Sequence, residues 1–183
     1  MYRFRKGIVL PDFKYRSLSN IKIDLPRPGR FVRISLDQQT GGNVQPCVAV
    51  GDSVLAGTQI AQGTEWSSVP LHSSASGRIA EVSKDSILIE SDEADRLDPA
   101  IQIRGEIPTD PRDIIQMIRE AGIVDLGGSA FPTHVRLTQA LETGVKTLVI
   151  NGCESEPFLT ADHVLMLNHP VEILKGSELL RLA

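Results

Sequence analysis

The stretch Ala121–Leu137, AGIVDLGGSAFPTHVRL, and the stretch Thr147–Pro157, TLVINGCESEP, carry the reading of this chain. A glycine pair sits where a loop enters a helix. A short helical spacer follows, and then an apolar run ends in Asn151 and two glutamates. Such a pattern builds a pocket for a phosphate-bearing cofactor. Glycines let backbone N–H groups approach an anion, and a helix N-terminus adds partial positive charge. A polar cluster at the end of the following strand then hydrogen-bonds the rest of the ligand.

Working outward, the period of the apolar residues divides the chain in three. Residues 1–29 are rich in proline and basic residues, show little periodicity, and read as an extended arm. Residues 30–104 read as all-β. FVRISL alternates, CVAVGDSVLAGTQIAQ holds short strands around Gly-Asp and Ala-Gly turns, and SGRIAEVSKDSILIES repeats the pattern about Lys84-Asp85. Short strands punctuated this often predict a small sandwich or barrel. Residues 107–183 change to helical period. Asp110 is the expected N-cap of a helix, Pro111 its first residue and Gly122 its stop. Ile114, Ile115, Met117, Ile118 and Ala121 are its expected apolar face. Helices are predicted over Thr133–Glu142 and Ala161–Leu167, a strand over Lys146–Ile150, and a further helix after His169-Pro170. That last helix meets no stop signal before Ala183, which predicts that the chain is the N-terminal part of a longer protein.

Composition bounds the function. The 183 residues have an ordinary apolar content of 41% and a net charge of −4. No basic stripe appears, which argues against nucleic acid as a partner. No apolar run approaches the ~20 residues of a membrane span. The N-terminus lacks the apolar core of a signal peptide, so the chain reads as soluble and cytoplasmic. Cys47 and Cys153 are its only cysteines, expected as free thiols. Two cysteines do not make the four-ligand set of an iron–sulfur cluster or a structural zinc site, so no metal ligands are expected here.

The runs VAVGDSV (Val48–Val54) and SGRI (Ser76–Ile79) resemble the biotinyl/lipoyl barrel-sandwich hybrid family. A carrier of that type needs a lysine at its hairpin tip. The tip here, Gln62–Ser68, reads QGTEWSS and has none, so the module is expected to be structural. Trp66 belongs on that turn, partly buried over the core, and a lone His72 is expected to be structural.

The glycine stretch resembles the "G-x-G-G-x-G-F-P-T" loop of the flavin-binding subunit of respiratory complex I. It is closer to the "G-[IV]-x-G-L-G-G-A-G-F-P-T-H-V-K-L" loop of the C subunit of the Rnf electron-transport complex. NGCESEPFLTADHVLM resembles that family's "N-[AG]-A-E-C-E-P-Y-[IL]-T-A-D-x-x-L-M", and Gly7-Ile8, Pro11 and Lys14 match its arm in outline. The resemblance covers nearly the whole chain. The A subunit of the sodium-pumping NADH–quinone reductase shares the arm and hybrid domain and is the nearest alternative.

The resemblance implies a barrel-sandwich hybrid module followed by the start of a complex-I-flavoprotein-like α/β domain that binds FMN and NADH. It implies a peripheral electron-entry protein at the inner face of the cell membrane. Such a protein passes electrons from NADH through FMN to [4Fe–4S] clusters in a longer chain, with the other Rnf subunits and ferredoxin as partners. The cofactor-binding positions it implies are Gly127, Gly128, Phe131, Thr133, Arg136, Asn151, Glu154, Glu156 and Asp162. Departures fall in the same places. Ala130 replaces the third loop glycine, where a Cβ is expected to obstruct the ligand or to exclude a positive φ. Ser129 replaces alanine, Arg136 replaces lysine, Cys153 and Ser155 stand exchanged, and Asp125 puts a negative charge beside the loop. The alternative reading is a docking or assembly module that keeps the fold without retaining flavin.

Overall fold

The structure is a computed structural model that describes residues 11, 13–18, 28–101, 108–126 and 128–183. Gly127, most of the N-terminal arm and residues 102–107 lie outside the described residues. The chain divides into two compact units, Pro26–Lys146 with Leu180–Ala183, and Met1–Leu25 with Thr147–Leu179.

Among the described residues, the larger unit begins with seven strands: β1 (Phe31–Ser35), β2 (Val44–Pro46), β3 (Ser53–Val54), β4 (Gln59–Gly63), β5 (Leu71–His72), β6 (Gly77–Val82) and β7 (Ser86–Ser91). They form two antiparallel sheets, in the orders β1-β7-β6-β3 and β2-β4-β5, and do not close into a barrel. Period 2 is the cause. Ile87 and Ile89 of β7 point inward and meet Ile34 of β1, Val54 of β3, Ile60 of β4 and Ile79 of β6 in one apolar core. Each fully buried aliphatic side chain contributes about 1.5–3 kcal/mol.

The turns sit where the residues demand them. At Gly51-Asp52 the Asp52 carboxylate accepts the Ala49 N–H at 2.8 Å, and Gly51 adopts φ 96°. At Lys84-Asp85 the Ser83 hydroxyl donates to the Ser86 carbonyl at 2.9 Å. A register shift between Ile79 and Glu81 marks a bulge in β6.

Two further helices belong to this unit. Helix α2 (Pro111–Glu120) starts as its sequence dictates, with Asp110 accepting the Arg112 N–H at 2.9 Å. Ile114, Ile115 and Ile118 are buried, whereas Met117 is half-buried and Ala121 is exposed. The apolar face is thus narrower than periodicity implied. Gly122 ends the helix at φ 72°, where a Cβ would lie 2.8 Å from the Pro70 carbonyl oxygen. Helix α3 (Thr133–Thr143) packs on α2 and ends at Gly144, φ 66°.

In the smaller unit, Lys14–Leu18 is a short helix, α1, which corrects the reading of an extended arm at those residues. Phe13 stacks on Phe158 with centroids 5.5 Å apart. Helix α4 (Ala161–Asn168) belongs here, and α5 (Pro170–Leu182) begins after the break at His169. The strand expected over Lys146–Ile150 does not form. Among the described residues no ladder pairs with it, and Leu148, Val149 and Ile150 are exposed. β-branched residues favour a strand only where a neighbouring strand takes their backbone hydrogen bonds. Among the described residues no helix is long and apolar enough to cross a membrane.

Candidate functional site

The glycine loop is closed at its base by the backbone. Val124 and Pro132 form an isolated antiparallel bridge, Asp125 N–H donates to the Phe131 carbonyl at 2.8 Å, and Thr133 N–H donates to the Ile123 carbonyl at 3.1 Å. The far side is anchored to the β1–β2 connection. Thr40 donates its N–H to the Ala130 carbonyl at 3.2 Å and its hydroxyl to the Ser129 carbonyl at 3.0 Å.

These bonds hold Ala130 at φ 47°. The expectation that alanine excludes a positive φ is therefore corrected: the fixed ends of the loop impose the conformation, at a cost of about 1–2 kcal/mol. Gly128 adopts φ 95°, and a Cβ built there meets open space.

The loop delivers the chain into the first turn of α3, which carries no acidic side chain and whose start has no side-chain cap. Gly128, Phe131, Thr133 and Arg136 are thus brought together at one helix entrance. The side chains there are already engaged with one another. Arg136 lies over the Phe131 ring, 5.4 Å from its centroid, and donates to the Asp125 carboxylate at 3.2 Å. Ser129 donates its hydroxyl to the same carboxylate oxygen at 2.9 Å. Asp125 faces the loop's cationic side rather than away from it.

A second set of contacts fixes α3 to the β module. His134 is fully buried. Its Nε2 lies 2.7 Å from the Trp66 carbonyl oxygen, and its ring meets the Trp66 indole edge-on at 5.0 Å. A carbonyl only accepts, so Nε2 carries the proton. Nδ1 is buried with no partner. Burial pushes the His134 pKa down; the bond to Trp66 opposes this and the nearby Arg119 adds to it.

Arg119 of α2 also engages the Trp66 turn. Its guanidinium lies 5.1 Å from the Trp66 ring centroid, and it donates to the carbonyls of Ser68 and Glu65 at 3.3 and 3.1 Å. Trp66 stands on the turn between β4 and β5, as expected, but is 51% exposed and packs on these helical side chains rather than over the strand core. An open cleft of about 710 Å³ beside Trp66 is lined by Ile115, Thr138 and Leu141 among others, and by no described residue of the glycine loop. His72 lies against the end of α2, where burial lowers its pKa.

The polar cluster belongs to the smaller unit. Asn151 accepts the Cys153 N–H at 2.9 Å, closing a local turn. Glu154 accepts the His163 N–H at 3.1 Å and so caps the first turn of α4, where Asp162 also lies. Glu156 accepts from the Ser155 hydroxyl. Sequence reasoning missed His134 as a contact and the pairing of Asp125 with Arg136. Their only signal in the sequence was a place inside the Ala121–Leu137 stretch.

Residues 2–104 match the family described as the RnfC barrel sandwich hybrid domain, and residues 118–183 match the Nuo51 FMN-binding domain. The chain belongs to the RnfC family. It is 34% identical over 95% of its length to the C subunit of the Na(+)-translocating ferredoxin:NAD(+) oxidoreductase complex of Acetobacterium woodii. It is 32% identical over 99% of its length to the C subunit of the ion-translocating oxidoreductase complex of Serratia proteamaculans. A third relative, the C subunit of the proton-translocating ferredoxin:NAD(+) oxidoreductase complex of Clostridium ljungdahlii, is 31% identical over 98% of the chain.

The chain spans 42% of the length of the Acetobacterium and Clostridium proteins and 27% of the Serratia protein. Its fold is that of the RnfC barrel-sandwich hybrid domain followed by residues of an FMN-binding domain. The glycine loop suits the phosphate of that flavin in its backbone. Gly128 leaves open space, and the first turn of α3 carries Arg136 and no acidic side chain.

Proposed function

We propose that this chain is the electron-entry part of an RnfC-type protein, which moves electrons between NADH, FMN and iron–sulfur centres of a larger complex. The observation that carries the reading is the glycine loop held in positive-φ geometry at the entrance to α3, inside the residues that match an FMN-binding domain. In this reading Gly128 and the start of α3 receive the flavin phosphate, Arg136 pairs with it, and Phe131 and Thr133 shape the entrance. Gly127 belongs to the same set by its place in the sequence.

Asn151, Glu154, Glu156 and Asp162 are assigned to the isoalloxazine and nicotinamide side. Glu154 then holds α4 in place through its bond to His163 N–H as well as lining the site. The flavin, when bound, accepts a hydride and releases electrons singly; the protein supplies position and polarity. The division into an arm over 1–29, a hybrid module over 30–104 and a flavin-type domain over 107–183 is part of this proposal. So are ferredoxin and the other Rnf subunits as partners, and a peripheral place on the cytoplasmic face of the membrane. The names of the relatives support both, since each belongs to an ion-translocating complex.

One observation favours a second reading, a docking module that does not retain flavin: the side chains of the loop already satisfy one another through Asp125. Equilibrium dialysis of the 183-residue chain against FMN separates the two. Saturable binding in the micromolar range that riboflavin matches poorly supports the flavin site. Absence of binding up to millimolar FMN supports the docking module.

A further inference from the structure

We infer that Asp125 is an internal counter-anion that sets how tightly the glycine loop takes a phosphate group. This inference rests on the flavin-site reading and deepens it. The Asp125 carboxylate accepts from Ser129 at 2.9 Å and from Arg136 at 3.2 Å through one oxygen, Oδ2. Those are the side-chain donors that the loop and the first turn of α3 direct toward an arriving anion. The carboxylate is held in place by its own backbone, because the Asp125 N–H is fixed to the Phe131 carbonyl at 2.8 Å. It therefore stays beside the loop when the ligand arrives.

A phosphate must then displace a carboxylate from Arg136 and sit next to the negative charge it has displaced. Both effects weaken the binding of charged ligands and leave uncharged ones untouched. Arg136 is 60% exposed and Asp125 33%, so the exchange needs no opening of the core. The consequence is a flavin phosphate that exchanges with solution rather than one retained through purification.

The test compares the full chain with Asp125→Asn and with Asp125→Asn/Arg136→Gln. FMN and riboflavin are titrated by flavin fluorescence, and inorganic phosphate by the amide NMR shifts of Gly128 and Ser129. Asp125→Asn is expected to tighten FMN about tenfold, to tighten phosphate similarly and to leave riboflavin within about twofold. The double variant is expected to lose the gain. Asp125→Ser serves in its place if Asp125→Asn does not fold.

A gain shared equally by riboflavin, or no gain for FMN and phosphate, overturns the inference. FMN binding that is unchanged by Asp125→Asn overturns it and leaves the flavin site standing. A gain for phosphate with no flavin binding in any variant supports Asp125 as counter-anion and removes the flavin reading. No anion binding to any variant overturns the inference.

Discussion

Replacing His134 by phenylalanine isolates the contact that ties α3, and with it the glycine loop, to the Trp66 turn. The ring volume is nearly kept and the site is fully buried, so no large cavity opens. What is lost is the donor to the Trp66 carbonyl, 2.7 Å from Nε2. Leaving that carbonyl without a partner costs about 1–3 kcal/mol, against which the relief of the unpaired Nδ1 returns part, for a net loss of about 1–2 kcal/mol. His134→Ala adds the loss of the edge-on ring contact and a cavity, bringing the loss to about 3 kcal/mol.

Urea unfolding followed by tryptophan fluorescence reads this contact directly, because Trp66 is the only tryptophan. With a slope of ~2 kcal/mol per molar urea, the midpoint falls by ~0.5–1 M for His134→Phe and ~1.5 M for His134→Ala. A pH series adds an independent check. The folded pKa of His134 lies below its ordinary 6.5 because burial disfavours the charged ring. As pH falls below 6.5 the unfolded chain takes up a proton that the folded chain resists, so stability is full above pH 6.5 and is lost as pH falls. His72, also shifted down by burial, contributes with the same sign. His134→Phe should flatten part of this slope. An unchanged midpoint in His134→Phe, with the acid slope intact, refutes the clasp.

Three further outcomes follow from particular residues. Asp92, held down to about 2 first by the Ser76 hydroxyl and then by the Ala94 N–H and Arg96, supports folding above its ordinary 3.8, and that support fades as pH drops toward about 2. Carboxyl NMR titration of Ser76→Ala should show the Asp92 pKa rising, and an unmoved pKa contradicts the assignment. Gly41→Ala should destabilise the larger unit by about 2–3 kcal/mol, since a Cβ there overlaps the Ser67 carbonyl and the Pro132 ring; urea unfolding with a loss under about 0.5 kcal/mol would count against it. The intact mass should equal that of the bare chain after expression beside active lipoyl and biotin ligases, because the β4–β5 tip carries Trp66 and no lysine; an added acyl mass would reverse the structural reading of the module.

The sequence by itself determined the local elements and the family. Asp110-Pro111 starts α2, Gly122 and Gly144 stop α2 and α3, and alternation places Ile87 and Ile89 in the core. Each of these signals acts within a few residues, so a linear reading captures it. The RnfC resemblance is likewise carried by motifs whose order along the chain needs no coordinates.

Only the tertiary structure decided the rest. His134 and Trp66 are 68 residues apart, and nothing local to either names the other. Asp125 and Arg136 meet because the loop closes between Val124 and Pro132. Ala130 takes a conformation that its side chain disfavours because Thr40 and the loop base hold both sides of it. Lys146–Ile150 shows the converse. Its residues favour a strand, yet a strand is a relation between two segments, and backbone N–H and C=O groups form a ladder only when a second segment lies alongside.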